Sequence, residues 1–439
     1  MAKVRQGSAL KSLSYSLALL GALIVILSGI SFWTQRDRAA GASVSPKTQP
    51  ATYRRIESLQ RRLRLYSNDY ESYTKLGAAY LQKARETGDP SYLAQAEEAL
   101  LQALELESDS SKAMTLLGAL ELSRHRFQDA LRWGQASLDA NAVNPAAYGV
   151  KGDAQSELGD YEAAFQSYQA MVDLKPNLES YARVSYARRL VGGVNGAIEA
   201  MQLAVADGPP KTESLAWARV QLGDLYFNSG RADEADRYYQ AALQDFDNYY
   251  LALARLGRVR AAQGRSGEAI ELYQRAVTII PQPALLTELG DLYAEIDEPE
   301  QAQARYDTVE FIARLAGINQ QVYNRELALF YANHDLKLEY ALELASAELE
   351  FRKDIYGYDA LAWTLYKNNR FDEAAEAMDQ AMKLGTRDAM LYFHSGMIQY
   401  RLGNEPKARE HLSAALSLNP HFSILHSSLA QQTLSELGG

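Results

Sequence analysis

Small and apolar residues recur along most of this chain at a nearly constant interval. A small residue, usually a Gly that follows a Leu, occupies ten positions that are 33 to 41 residues apart: 77, 118, 152, 185, 223, 257, 290, 328, 362 and 396. Twelve residues after most of them stands an Ala, then often a large apolar or aromatic residue, then a second small residue. Self-similarity at this period predicts an array of about ten repeats over residues 70–422.

The sixth repeat shows the pattern clearly. The residues that carry its spacing are Leu253, Leu256, Gly257, Ala269, Tyr273, Ala276 and Pro281. It resembles a tetratricopeptide repeat, whose pattern runs W-x2-L-G-x2-Y, then A-x3-F, then P, over 34 residues. The resemblance implies an all-α fold, a superhelical solenoid of antiparallel helix pairs whose first helices line an inner groove. The residue pattern agrees, because small side chains let two helices approach closely and large side chains fill the remaining volume.

The two ends of such an array need caps, because each helix pair leaves an apolar face open. Residues 52–69 predict an amphipathic lead-in helix with Ile56, Leu59 and Leu63 facing inward. Residues 423–439 predict a more polar capping helix at the other end.

Three departures from the period divide the array into repeats 1–4, 5–7 and 8–10. The first adds seven residues around 84–95 and is expected to lengthen the loop between the two helices of the first repeat. The others lie near residues 207–210 and 316–318. Tolerated loop insertions are one interpretation, and hinges or lateral binding sites are the other. Elsewhere, short turns such as residues 158–160 are expected to end one helix and begin the next.

The N-terminal residues do not follow the repeat. Residues 13–33 carry no charge and, as a helix about 31 Å long, match a hydrocarbon core of about 30 Å. They follow a basic tail, residues 1–12, and precede residues 34–51, whose composition is that of a flexible tether. We therefore predict a single-pass transmembrane signal-anchor with an extracytoplasmic repeat domain, since a short basic tail usually stays inside. A cleaved signal peptide and a cytoplasmic repeat domain are the alternatives.

Charge and composition exclude several function classes. The 439 residues carry a net charge of −10, of which residues 1–50 carry +5 and the remainder −15, so a nucleic-acid binder is not expected. The chain has no Cys, which excludes disulfides, thiolate–zinc sites and a thiol nucleophile. Metalloprotease, P-loop, dinucleotide-binding and nucleophile-elbow motifs are absent, and the Gly-rich residues 191–196 fall at an inter-helix turn. The six His are interpreted as surface or capping residues. We predict no catalytic residues, cofactor or metal.

Candidate binding residues follow from the resemblance, because ligands of this family usually lie in the groove at set positions of each first helix. In repeats nine and ten the candidates are Tyr356, Trp363, Tyr366, Phe393, Met397 and Tyr400. Their aromatic and apolar side chains suit a peptide with large side chains. Packing between repeats is the alternative for Trp363, Tyr366 and Tyr400.

A second candidate is the pair Arg255 and Arg258 in repeat six. The resemblance places them near Asp224 and Asp291 of the neighbouring repeats, and simple ion pairing is the alternative interpretation. Chaperone-type repeats use Lys and Asn in a two-carboxylate clamp. Neither residue stands at the corresponding positions of the first two repeats of this chain, so we do not predict that clamp.

Two functions remain open at this stage. One is a non-catalytic, membrane-tethered scaffold or adaptor that binds a partner protein or peptide in its groove, with envelope complex assembly as a setting. The other is a structural protein whose array associates laterally with further copies on the membrane. An open apolar groove would favour the first function, and exposed apolar patches at the insertions would favour the second.

Overall fold

The computed structural model of the protein describes residues 51–318 and 324–438, and every regular element in these residues is an α-helix. The all-α prediction is therefore confirmed for this part of the chain. The predicted basic tail, the predicted membrane helix 13–33 and all but the last residue of the predicted tether lie outside the described residues. Within the described ranges, no helix combines the length and the apolar character that crossing a bilayer requires.

The described helices form ten consecutive pairs between two single helices, α1 (Ala51–Leu65) and α22 (Ser427–Glu436). The ten pairs are α2 and α3 (Tyr70–Thr87, Ser91–Leu106), α4 and α5 (Ser111–Ser123, Phe127–Ala140), α6 and α7 (Pro145–Glu157, Tyr161–Leu174), α8 and α9 (Leu178–Leu190, Val194–Asp207), α10 and α11 (Glu213–Phe227, Ala232–Asp245), α12 and α13 (Tyr250–Ala262, Ser266–Ile279), α14 and α15 (Pro283–Glu295, Pro299–Ile318), α16 and α17 (Asn324–Asn333, Leu338–Phe351), α18 and α19 (Ile355–Lys367, Phe371–Ala381), and α20 and α21 (Ala389–Arg401, Glu405–Leu418). In α1, Ile56 and Leu63 are buried and Leu59 is partly exposed.

Close packing within a pair depends on the recurring Gly. A Cβ atom added to Gly152 would lie 2.5 Å from the ring of Tyr168, and one added to Gly223 would lie 2.4 Å from the ring of Tyr239. In both cases the large residue is the one sixteen positions after the Gly. The small residue of the first helix therefore receives the large side chain of the second helix, as the sequence predicts.

Local capping explains where the helices begin. Side chains accept hydrogen bonds from the first-turn amides at the starts of eight helices: Asp69, Ser110, Asn144, Asp160, Asn177, Thr212, Asp354 and Asp388. Such caps satisfy backbone donors that have no partner inside the helix. Between the helices of a pair, Gly159 and Gly264 adopt φ values of 82° and 71°, which Gly tolerates without steric cost.

The insertions are found mainly in helices. The expected long loop in the first repeat is wrong, because α2 is extended to 18 residues and only Gly88–Pro90 separate it from α3. In the same way α15 has 20 residues, whereas the second helices of most other repeats have 14. The second insertion is a connecting segment, residues 208–212, between α9 and α10. Extending a helix keeps every backbone donor paired, which a long loop does not.

The first helices of successive repeats adjoin one another, and the solenoid winds far enough for distant repeats to touch. The Lys353 amide donates a hydrogen bond of 2.9 Å to the carbonyl oxygen of Glu157. The Thr386 hydroxyl donates to the carbonyl oxygen of Leu190. Repeats three and four thus contact repeats eight and nine.

Candidate functional site

The aromatic residues predicted for the groove of repeats nine and ten are largely buried. Trp363 is 1% exposed and Phe393 is fully buried, and Met397 belongs to the same core cluster. The Trp363 indole stacks on Tyr366 at 4.7 Å between ring centroids, and its Nε1 donates a hydrogen bond of 2.8 Å to Asn333 Oδ1. The three side chains therefore pack between repeats, which for Trp363 is one of the two interpretations that the sequence leaves open.

The other predicted aromatic residues of this group face different neighbours. Tyr400 donates a hydrogen bond of 3.2 Å from its hydroxyl to Glu436 of the C-terminal helix. The hydroxyl of Tyr356 accepts a hydrogen bond of 2.8 Å from Arg189, which belongs to repeat four. The six residues therefore do not form one open binding surface.

The two predicted arginines have separate roles. Arg255 Nε lies 3.0 Å from Asp224 Oδ1, as the ion-pairing interpretation predicts. Arg258 does not pair with Asp291. Its Nη2 donates a hydrogen bond of 2.7 Å to the carbonyl oxygen of Phe422, and its guanidinium lies 4.6 Å from the centre of the Phe227 ring. Asp291 instead contacts His334 and Tyr306, at 2.8 and 2.9 Å.

The C-terminal segment, residues 421–428, lies against the inner face of repeats six to eight. A cavity of about 360 Å³ remains beside it, lined by Arg258, Asp291 and Asn333 together with this segment. His426 of the segment is buried, and its ring stacks on Phe393 at 4.9 Å. The chain therefore covers much of this half of its own inner face.

For three of the six histidines, burial corrects the surface part of the interpretation as surface or capping residues. His394, His411 and His426 are all buried. His394 Nδ1 lies 2.8 Å from Asp359 Oδ1, and His411 Nδ1 lies 2.8 Å from the Ser395 hydroxyl. Burial, with smaller contributions from neighbouring positive charges, lowers the pKa of His426 to about 3.

In the described residues, no group of three or more metal-ligating side chains is arranged to hold an ion.

A large open cavity lies on the inner face of repeats two to five. It has a volume of about 770 Å³ and is formed mainly by the first helices α4, α6, α8 and α10. Side chains that face it include Ala119, Ala146, Asp153, Tyr186, Arg189, Trp217, Gln221 and Asn228. None of the predicted groove residues lines this cavity. Several of its residues nevertheless stand at the repeat positions that the resemblance assigns to the groove. The resemblance therefore indicates which positions within a repeat line the cavity, but the sequence analysis selects different repeats.

Most charges around this cavity are neutralised by ion pairs. Arg183 binds Asp153 through two hydrogen bonds of 2.9 and 2.6 Å. Arg85 lies 3.7 Å from Glu213. Arg189 differs from these two, because it forms no ion pair with any carboxylate of the described residues. Its guanidinium lies 5.5 Å and 5.6 Å from the ring centres of Tyr186 and Tyr356. Burial raises the pKa of Tyr186 to about 12, so its hydroxyl stays protonated at neutral pH.

Comparison with known families identifies the repeat. Family models of the tetratricopeptide repeat match residues 93–145, 220–283 and 360–421, and a further such model matches residues 145–178. The chain is a tetratricopeptide-repeat (TPR) protein. This agrees with the resemblance seen in its sequence and with the paired helices of its fold.

Relatives of this TPR protein cover only parts of its length. Human protein O-mannosyl-transferase TMTC1 is 27% identical over 223 residues, 49% of this chain and 24% of that protein. The bovine BBSome complex member BBS4 is 23% identical over 284 residues, 62% of this chain and 51% of that protein. Among solved structures, the APC/C hetero-tetramer Cut9–Hcn1 gives a TM-score of 0.45 at 17% identity, covering 84% of this chain and 63% of that one. The chain thus spans about a quarter to a half of these two curated relatives.

Proposed function

We propose that this TPR protein is a non-catalytic interaction module that binds an extended segment of a partner protein in the cavity of repeats two to five. The observation that carries the proposal is the cavity of about 770 Å³ along the first helices, which combines Trp217 and Tyr186 with polar groups such as Gln221 and Asn228. Apolar walls with a few polar groups are typical of recognition sites. The inner face of repeats six to ten is a weaker candidate, since packing and the C-terminal segment cover much of it.

The proposal includes a membrane tether. The uncharged residues 13–33, which lie outside the described residues, are long enough to span a bilayer. With the repeats on the extracytoplasmic side, the module would hold its partner near the membrane, for example during assembly of an envelope complex. Protease treatment of intact cells tests the orientation: an exposed repeat domain is digested, whereas a cytoplasmic one is protected.

The binding site is tested by photo-crosslinking of the full chain in its own cells. A photoreactive amino acid is placed at position 217 in the cavity, at position 363 in the packed core, or at position 240, where Gln240 is exposed on α11. We expect one discrete adduct with another protein from position 217 and none from positions 363 and 240. Equal adducts from positions 217 and 240, or adducts from 363 alone, would refute the site.

Lateral self-association remains a second candidate because four large apolar side chains are exposed in repeats seven and eight. Phe311, Leu315, Leu336 and Tyr340 are 53%, 42%, 40% and 47% exposed, and the first two lie on the extended helix α15. Exposed apolar patches mark interaction surfaces more often than isolated apolar residues do. A self-associating chain would give homodimer adducts from a photoreactive group at position 311 and a concentration-dependent sedimentation coefficient that the Leu315→Ser variant abolishes.

A further inference from the structure

We propose that the peptide bound in the cavity of repeats two to five presents a carboxylate to Arg189. This inference rests on the function proposed above and adds the chemistry that the site selects. It follows from the charges that the chain leaves unpaired around the cavity and from the way in which Arg189 is held.

Three arginines line the cavity, and two of them are already neutralised. Arg183 is held by both carboxylate oxygens of Asp153, and Arg85 is paired with Glu213. Within the described residues, Arg189 forms one side-chain hydrogen bond, from its Nη1 to the Tyr356 hydroxyl. A guanidinium has five N–H donors, so Arg189 keeps donors for a ligand.

All but one of the acidic side chains that line the cavity form ion pairs with cationic side chains. Asp153 is bound by Arg183, Glu157 by Arg352 at 2.5 Å, Glu213 by Arg85 and Asp224 by Arg255. The exception is Glu179, which is exposed and accepts a hydrogen bond from Asn177. Among the lining acids, a ligand carboxylate therefore meets only Glu179 without a cation. Outside the lining, Asp388 interacts electrostatically with Arg189 but forms no ion pair with it, and its carboxylate caps α20 by accepting hydrogen bonds from the Met390 and Leu391 amides.

Arg189 is preorganised for an anion. Its guanidinium lies 5.5 and 5.6 Å from the ring centres of Tyr186 and Tyr356 and donates a hydrogen bond to the Tyr356 hydroxyl. Tyr356 belongs to α18, so the arginine is held by the next turn of the solenoid. An arginine that is fixed in place loses little side-chain entropy when it binds a carboxylate. The bidentate geometry of a guanidinium matches a carboxylate better than a neutral amide.

The shape of the cavity favours a peptide over a small anion. Four neighbouring first helices form it, and helices pack about 8–10 Å apart, so the cavity extends over about 25–30 Å. At about 3.3 Å per residue, an extended segment of about eight residues covers that length. Trp217 on α10 and Tyr186 on α8 offer apolar contact along it. The chain's own C-terminal segment does not compete, because it lies against repeats six to eight.

The test uses a displayed library of random decapeptides with the full wild-type chain and with the Arg189→Gln variant. We expect Asp or Glu to be enriched at one position of the wild-type binders, or a free C-terminus to be required. The best binder is then synthesised with that acid as Glu or Gln, and with a free or amidated C-terminus, which distinguishes a side-chain carboxylate from a terminal one. Removal of the peptide carboxylate that contacts Arg189 should weaken binding to the wild-type chain about tenfold to a hundredfold. This is the loss of affinity expected when a hydrogen bond to a charged group is removed. The same change should leave binding to Arg189→Gln unaltered.

Two further variants separate ligand binding from folding. Tyr356→Phe removes the tie to Arg189 but keeps its charge and flanking ring, and should retain the preference for a carboxylate. Arg237→Gln changes an exposed arginine on α11 and should bind as the wild type does. Binders without a preferred acid, an identical preference in Arg189→Gln, or a library without binders would overturn the inference. If position 217 still gives a discrete adduct in cells, the proposed function survives this failure.

Discussion

Gly159 and Lys353 come into backbone contact although 194 residues separate them. A Cβ atom built on Gly159 would lie 2.5 Å from the carbonyl oxygen of Lys353, and the neighbouring Glu157 carbonyl accepts a hydrogen bond from the Lys353 amide. Gly159 also has a φ of 82°, in the region that favours Gly. One residue therefore ends a helix and lets two turns of the solenoid touch.

Replacing Gly159 with Ala should open this contact. The left-handed conformation alone costs about 1–2 kcal/mol for a residue with a Cβ, and the overlap with Lys353 adds to it. Gly264→Ala is the matched control, because Gly264 has a φ of 71° and a Cβ added there would have no atom within 4 Å. We expect Gly159→Ala to lower the denaturation midpoint more than Gly264→Ala and to speed hydrogen exchange at the Lys353 amide. Equal effects of the two variants would argue against a contact at this point.

The ion pair between Arg352 and Glu157 stabilises the same junction. Arg352 is 8% exposed, and its Nε lies 2.5 Å from Glu157 Oε2, with Glu348 Oε1 at 3.4 Å from Nη1. Arg352→Met should cost about 3–5 kcal/mol, because it leaves buried carboxylates without a partner. The exposed pair of Arg265 and Glu268 provides the control, since Arg265→Met should cost about 0–1 kcal/mol. Urea denaturation measures both, and a small loss for Arg352→Met would show that the two turns do not depend on this pair.

The buried His426 should make the protein sensitive to mild acid. Burial, together with the charges of His394 and Lys367, lowers its pKa in the folded state to about 3. The unfolded chain binds a proton near pH 6.5 and the folded one does not, so stability is fully present above about pH 6.5 and falls as the pH drops towards 3. One such group contributes a slope of about 1.4 kcal/mol per pH unit. His426→Gln should reduce the measured slope between pH 6 and pH 4 by about this amount. An unchanged slope would mean that His426 is not kept neutral by burial.

The sequence predicts the repeat itself much better than the site. The contact between Gly223 and Tyr239 joins residues of one repeat, so its spacing is visible in the pattern. The openness of the inner face depends on contacts between distant residues. Arg258 binds the Phe422 carbonyl 164 residues away, and no periodic pattern encodes that pairing. Asp224 and Trp363 stand at the same position of their repeats. For this reason the repeat pattern does not reveal that Asp224 lies at an open cavity whereas Trp363 lies in a closed core.

The two tryptophans of the inner face, Trp217 and Trp363, should therefore respond in opposite ways to truncation. Trp363 is 1% exposed and hydrogen-bonded to Asn333, so Trp363→Ala should destabilise the fold by about 3–5 kcal/mol. Trp217 is partly exposed at the open cavity, so Trp217→Ala should cost about 1 kcal/mol or less. Binding of a library-selected decapeptide should show the reverse order at a temperature where both variants are folded. Strong binding by Trp217→Ala would place the ligand outside the cavity, whereas a stable Trp363→Ala variant that has lost binding would restore the groove of repeats nine and ten as the site.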